Sequence, residues 1–192
     1  SSSVVNSLYN IQLLKFTGED GVAAVSIIMY LQFLCIGIYF GFSMGLSTPL
    51  GYAYGDRNFS VCRVLEKYAY RFFAIAPIIL YGCTYLLTPI GVRFFASPGS
   101  TVFNMAVSGM RLYGLGFLFS GINIFAAIRM MTYGKGYISG MITFLRSFAL
   151  LLLFLTVLPR FLELNGIWLA VPAAEILTLI VALWTLRKKT VV

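Results

Sequence analysis

Hydrophobic residues occur along this chain in six blocks, which are separated by short segments rich in glycine, proline and charged residues. The blocks predict helices over residues 3–16, 22–52, 66–96, 112–133, 137–158 and 166–186. An amphipathic lead-in that ends at Arg111 precedes the fourth helix. The last five helices are long enough to cross a hydrocarbon core of about 30 Å, which takes about 20 helical residues. The first is too short to cross, and we expect it to be the end of a truncated helix.

The composition places these helices in a membrane. Of the 192 residues, 60% are hydrophobic and only 10% are charged, whereas soluble domains are about 25% charged. No charged residue occurs between Gly21 and Gly55 or between Phe72 and Val92. The strands of membrane barrels are about ten residues long and alternate in polarity, and these blocks do not. The predicted fold class is therefore an all-α transmembrane helical bundle.

The basic residues predict how the bundle is oriented. Most basic residues occur in three segments, namely the predicted 56–71 loop, the end of the fourth helix and the tail. This first set is Arg57, Arg63, Lys67, Arg71, Arg129, Lys135, Arg187, Lys188 and Lys189. The alternate connections hold little more than Lys15, Arg93 and Arg160. Basic residues favour the cytoplasmic side, so we expect a multi-pass protein of the plasma membrane, the inner membrane of a bacterium, with a cytoplasmic C-terminus. The net charge of +8 then reflects topology, and no nucleic-acid partner is expected.

The residue inventory also excludes several chemistries. The chain has no histidine, so it offers no histidine metal ligand, no histidine general base and no Ser-His-Asp triad. Its three cysteines, at positions 35, 62 and 83, form no CxxC pair. No metal site, catalytic residue or cofactor is predicted.

Arg146 and Glu175 each interrupt an otherwise apolar predicted span. At a rise of about 1.5 Å per residue they lie about 14 Å and about 18 Å from the cytoplasmic ends of consecutive antiparallel helices. A lone charge at such a depth is costly, so a partner or an aqueous cavity is expected. One interpretation is a salt bridge that clamps two helices. The other is that Glu175 faces a cavity and takes up a proton or a cationic substrate, with Arg146 as its partner while the pair is closed.

Uncharged polar residues and glycines in the spans also have two interpretations. The candidates for a substrate or cation pathway, beside the charged pair, are Asn6, Asn10, Gln32 and Asn123. Such groups either join helices through hydrogen bonds or line a polar cavity together. In the second predicted helix, small residues recur every four positions and are followed by a proline, at Gly37, Gly41, Gly45 and Pro49. This face either packs against a neighbouring backbone or makes the helix bendable.

Four motifs occur in the order in which a known family carries them: GEDGVAA at 18–24, YGDRN at 54–58, GKG at 134–136, and NGIWLA at 165–170 followed by Pro172 and Glu175. This set resembles the C-terminal half of the multidrug and toxic compound extrusion (MATE) transporters, within the bacterial branch of multidrug pumps and damage-inducible homologues. The resemblance implies a secondary active transporter of twelve helices in two six-helix lobes. Residues 1–192 would form the second lobe, and we expect the N-terminal lobe, which this chain lacks, to be its partner.

The resemblance also implies a function. Such transporters export amphipathic, often cationic organic compounds by alternating access, driven by Na⁺ or H⁺. Members that couple through the second lobe use acids on helices seven and ten, whereas residues 3–16 have none and residues 121–123 read Gly-Ile-Asn. Glu175 matches an acid that is often present in the last helix of this branch. The alternatives are a lipid-linked oligosaccharide flippase, which would need several basic groups in its cavity, a membrane-embedded enzyme, which would need clustered acids, and a purely structural scaffold.

Overall fold

Helices account for nearly all of residues 2–187, which are the residues that the computed structural model describes. Eight α-helices follow one another: α1 Ser2–Thr17, α2 Glu19–Gly55, α3 Phe59–Val92, α4 Thr101–Tyr113, α5 Phe117–Thr132, α6 Gly136–Phe144, α7 Leu150–Val157 and α8 Pro159–Arg187. A 3₁₀ turn, Gly114–Gly116, joins α4 to α5, and a π-helical turn, Leu145–Ala149, joins α6 to α7. Within the described residues, five helical stretches are long and apolar enough to cross a membrane. The predicted all-α transmembrane bundle is confirmed.

The third helix begins at Phe59, so the prediction that it begins at residue 66 is wrong. The Asn58 side chain accepts a hydrogen bond from the backbone N–H of Val61 at 3.3 Å and caps the helix, as asparagine commonly does. Of the basic residues in the predicted loop, Arg63, Lys67 and Arg71 lie on α3 and are exposed at four-residue intervals, and Arg57 lies in the turn ahead of it. Only residues 56–58 separate α2 from α3.

The fourth helix begins at Thr101, and the predicted lead-in is part of it. Ser100 caps α4 by accepting a hydrogen bond from the Phe103 N–H at 3.2 Å. Arg111 consequently lies about 15 Å along the helix instead of ahead of it. Its guanidinium lies 4.5 Å from the centroid of the Tyr85 ring on α3.

The last helical element runs from Pro159 to Arg187, but its backbone breaks at Glu163, where φ is +49°, so the helix beyond the break begins close to the predicted residue 166. Directly beyond the break, Gly166 lies against the Leu158 carbonyl, and a Cβ at this position would be only 2.5 Å from it. Glycine is therefore required for this turn to close. Lys188 and Lys189 lie outside the described residues, so the orientation of the C-terminus stays a prediction.

The core lies where α5 and α8 pack between α1, α2 and α4. Its largest fully buried side chains include Trp168, Tyr9, Tyr39, Phe117 and Phe125. The Tyr39 hydroxyl donates a hydrogen bond to the Phe117 carbonyl at 3.0 Å, which joins α2 to α5. The outer faces of α2 and α3 instead expose large apolar side chains such as Phe33 and Ile78, as expected of helices that face lipid or further helices.

Close packing at Gly121 yields a stability prediction. A Cβ at this position would lie 2.8 Å from the ring of Phe73, which is itself buried among aromatic residues. We expect Gly121→Ala to destabilise the protein by about 1–3 kcal/mol through overpacking. Gly140→Ala is the matched control, because a Cβ there has no neighbour within 4 Å. Thermal unfolding of the purified variants in detergent measures the difference, and equal transitions would contradict the packing described.

Candidate functional site

A cavity of about 520 Å³ lies between α1, α2, α5, the π-helical turn and α8. Its polar lining consists of Asn6, Gln32, Ser120, Arg146, Ser147 and Glu175. Aromatic side chains form much of the remaining wall, namely Tyr9, Phe33, Phe40, Tyr113 and Phe117. This mixture of flat apolar surfaces and a few polar groups is typical of small-molecule sites.

Arg146 and Glu175 form an ion pair at the wall of this cavity. The Arg146 Nη2 and Nε atoms both donate to Glu175 Oε1, at 2.7 Å and 3.0 Å. Glu175 is only 4% exposed. The helix bounds place Arg146 about 15 Å from the start of α6 and Glu175 about 18 Å from the end of α8. The pairing expected from the sequence is therefore present.

Asn123 on α5 holds the other side of the same carboxylate. Its Nδ2 donates to Glu175 Oε2 at 2.7 Å and to the Glu175 backbone carbonyl at 2.9 Å. The Asn123 side chain is fully buried. Both carboxylate oxygens thus receive donors, one from the π-helical turn and the other from α5. Charge-assisted hydrogen bonds of this kind offset part of the cost of burying a carboxylate.

Four buried oxygen atoms in this region have no hydrogen-bond partner among the described residues: Tyr9 Oη, Gln32 Oε1, Ser120 Oγ and Asn123 Oδ1. Leaving such an atom unpaired costs about 1–3 kcal/mol, so their grouping favours a site that binds polar or charged species. Hydroxyl, amide and carboxylate oxygens are the ligands that hard cations prefer. Within the part of the chain described, no three His, Cys, Asp or Glu residues are placed to hold a metal ion.

Of the remaining candidate residues, the structure places only some at the cavity. Asn6 lines the cavity, whereas Asn10, one turn further along α1, is exposed and is not among the lining residues. Pro49 lies inside the continuous helix α2. The glycine face on the same helix, which we define as Gly37, Gly41 and Gly45, has no heavy atom within 4 Å of an added Cβ. The expected packing of this face against another backbone is therefore not made within residues 2–187.

A second buried ion pair was not anticipated from the sequence. Arg129 Nε donates to Glu66 Oε1 at 2.5 Å, and the Tyr133 hydroxyl donates to the same oxygen at 2.6 Å. Burial, and then the hydrogen bond to Glu66, raise the pKa of the Tyr133 phenol, so it stays a donor. Arg129 is 3% exposed, although we had assigned it to the cytoplasmic surface. Two features of the sequence could have indicated this pair: an arginine inside the apolar run at 124–131 and a single acid among basic residues at 57–71.

Comparison with known proteins identifies a family model that matches this chain and solved structures with a similar fold. The MatE family model matches residues 2–158, and no curated protein matches the chain. Two solved structures are described as the outward-facing and inward-facing conformations of a multidrug resistance MATE family transporter of the MOP superfamily. They are 21% and 20% identical to this chain, with TM-scores of 0.84 and 0.85, and each alignment covers 96% of this chain.

A third structure is a MOP superfamily transporter from Pyrococcus furiosus, described as having a binding pocket of reverse polarity that suggests a different function. It is 20% identical over 96% of this chain, with a TM-score of 0.84. This chain spans 42–43% of the length of these three solved chains. It therefore has the fold and the extent of slightly less than half of such a transporter.

The ion pair generates a stability prediction that does not depend on transport. We expect Arg146→Ala to lower the free energy of unfolding by about 3 kcal/mol, because it leaves a buried carboxylate without its counter-charge. Glu175→Gln is expected to cost less, and the double variant should be more stable than Arg146→Ala alone. Thermal unfolding in detergent measures all three, with exposed Arg160→Ala as control. Strictly additive effects of the two substitutions would show that the pair is not coupled.

Proposed function

This chain belongs to the MatE family, and from that premise we propose that it forms one lobe of a cation-coupled exporter of amphipathic, cationic organic compounds. Members of the family are secondary transporters and not enzymes. The observation that carries the proposal is the position of Glu175, a buried carboxylate at the wall of a cavity lined by aromatic and amide groups.

The chemistry of the cavity favours organic cations as substrates. Aromatic rings such as Tyr113 and Phe117 provide apolar contact area and faces that attract cations. Glu175 is the acid among the described lining residues, and a carboxylate in a region of low dielectric attracts cations strongly. A flat, apolar compound with one positive charge satisfies both features.

Coupling follows if the driving ion and the substrate compete for the same carboxylate. A proton on Glu175 would neutralise it, and a Na⁺ ion could use Glu175 together with the unpaired oxygens of Gln32, Ser120 and Asn123. In either case the ion favours the conformation that binds it better and reduces the affinity for the organic cation. No further cofactor is needed for such an exchange.

The motion is proposed to be a rocking of whole lobes. The chain aligns equally well with an outward-facing and an inward-facing relative, with TM-scores of 0.84 and 0.85. This similarity supports a lobe whose internal fold is retained while its orientation changes, as in other alternating-access transporters. With basic residues at the 56–58 and 133–135 turns on the cytoplasmic side, the lobe would lie in the plasma membrane with its C-terminus inside.

A lipid-linked oligosaccharide flippase is less well supported. A diphosphate substrate would need several free basic groups in the cavity. Among the described lining residues the cation is Arg146, and its guanidinium already binds Glu175. The described cavity therefore favours an exporter of cations.

The partner of this lobe is proposed to be an N-terminal six-helix lobe of the same protein, with the lipid bilayer around both. The glycine face of α2 and exposed apolar residues on the same helix, such as Phe33 and Met44, have no cover within the described chain. Small residues at four-residue spacing allow a close approach of helices. This surface suits a second lobe better than flexible lipid tails.

The proposed role of Glu175 predicts a transport defect. In cells that express the full-length protein, we expect Glu175→Gln to reduce the efflux of the dye ethidium at least tenfold, because the variant loses the charge that attracts the cation and exchanges it. Glu19→Gln, which removes an exposed acid, should be unaffected. Efflux is measured by dye fluorescence at matched expression. Normal efflux by Glu175→Gln would remove this residue from the transport cycle.

The proposed lobe interface predicts an effect at the glycine face. We expect Gly41→Leu to impair efflux and lower the thermal stability of the full-length protein. The added side chain has space within this lobe but would clash with a second lobe that packs against the glycine face. Gly82→Leu on α3 is the matched control, since a Cβ there also has no neighbour within 4 Å. Equal behaviour of the two variants would argue against an interface at α2.

A further inference from the structure

We propose that Arg146 is an internal competitor for the cationic substrate: its guanidinium occupies the carboxylate that the substrate must reach. Arg146 would then determine specificity, because only a cation that binds Glu175 strongly enough to displace the guanidinium can occupy the site. This inference rests on the proposed function, because it assigns a role to Arg146 in the same cavity. Two alternatives are a purely structural clamp and a residue with no effect on affinity.

The first argument is that no oxygen of Glu175 lacks a donor. Arg146 binds Oε1 through two nitrogen atoms, and Asn123 binds Oε2. A cation that enters the cavity must therefore replace one of these donors. Asn123 is fully buried, is not among the lining residues, and has a second bond to the Glu175 backbone. Arg146 lines the cavity directly, so Arg146 is the group that is displaced.

The second argument is that the two partners lie on helical elements that are buried to different extents. Glu175 lies on α8, where Trp168, Ala174 and Thr178 are buried around it. Arg146 lies in the π-helical turn, none of whose residues is buried. The flanking helices bury one residue each, Ile142 on α6 and Leu155 on α7. Glu175 thus lies on a helix with many buried residues, whereas Arg146 lies on a stretch with few, in a π-helical turn of the kind that is frequent at functional sites.

The third argument is that the same cavity offers acceptors to a displaced guanidinium. Gln32 Oε1 and Ser120 Oγ are buried oxygens without partners, and both residues line the cavity with Arg146. Arginine has five N–H donors on a long side chain. A move to these acceptors would keep its hydrogen bonds while it leaves Glu175 to the substrate. Its return would help to expel the cation after the lobes change orientation.

The test compares binding of tetraphenylphosphonium, a lipophilic cation, with binding of neutral triphenylphosphine oxide. The full-length protein is titrated in detergent at pH 8 in sodium-free buffer, by calorimetry. If Arg146 frees Glu175 in about a tenth of the molecules, its removal raises cation affinity about tenfold. We therefore expect Arg146→Met to bind tetraphenylphosphonium about tenfold more tightly and the neutral compound as before. Arg160→Met, which leaves Arg146 in place, should resemble the parent, and Arg146→Lys, which retains a cation in the cavity, should bind tetraphenylphosphonium more weakly than Arg146→Met does.

The outcomes separate the inference from the proposed function. A parent protein that binds neither compound contradicts both. A parent that binds tetraphenylphosphonium, with Arg146→Met binding it equally or more weakly, overturns the inference alone. If Arg146→Met does not fold, the parent is treated with phenylglyoxal, and modification of arginines is followed by mass spectrometry. Saturating tetraphenylphosphonium should increase modification of Arg146 and not of exposed Arg160, and an unchanged or decreased modification of Arg146 overturns the inference.

Discussion

The carboxylate of Glu175, buried deep in the lobe, is the constraint on which the surrounding structure depends. An isolated charge at this depth costs about 2.5–3.5 kcal/mol even by the lower insertion scales. The chain offsets that cost with donors from two different elements, Asn123 on α5 and Arg146 in the π-helical turn. Glu175 thus joins α8 to both α5 and the π-helical turn. The cavity lies where these three elements meet α1 and α2.

The sequence was sufficient to predict this pair because charges stand out in apolar helices. Two charged residues at similar depth on consecutive helices have few other partners, so simple geometry brings Arg146 and Glu175 together. Asn123 was only one of several polar candidates, since a hydrogen bond between side chains on α5 and α8 leaves no local pattern. The empty neighbourhood of the glycine face could not be predicted either. Four-residue spacing indicates that a face can pack closely, but not whether its neighbour belongs to the same lobe.

Errors at the helix ends have one physical cause. Polar and charged residues led us to begin the third helix at residue 66 and the fourth at residue 112, after an amphipathic lead-in, yet residues 59–65 and 101–111 are helical. A helix that extends beyond the hydrocarbon tolerates exposed Arg63 and Lys67 on one side while Cys62 and Ala69 are buried on the other. The capping residues Asn58 and Ser100 mark the true starts of α3 and α4. The same error concealed the Arg129–Glu66 pair, because an acid at the predicted start of the third helix was not considered as a partner for a residue at the end of the fourth.

The distribution of buried side chains across the lobe is consistent with transport. α5 and α8 each bury more residues than any other described helix, and they carry Asn123 and Glu175. The α6–α7 stretch buries little and contains a π-helical turn, a feature that is frequent at functional sites. A transporter needs a binding group whose position does not change and a neighbouring group that can leave it. Because Glu175 and Arg146 lie on elements that differ in this way, exchange at the carboxylate can occur without disruption of the core around Trp168 and Phe125.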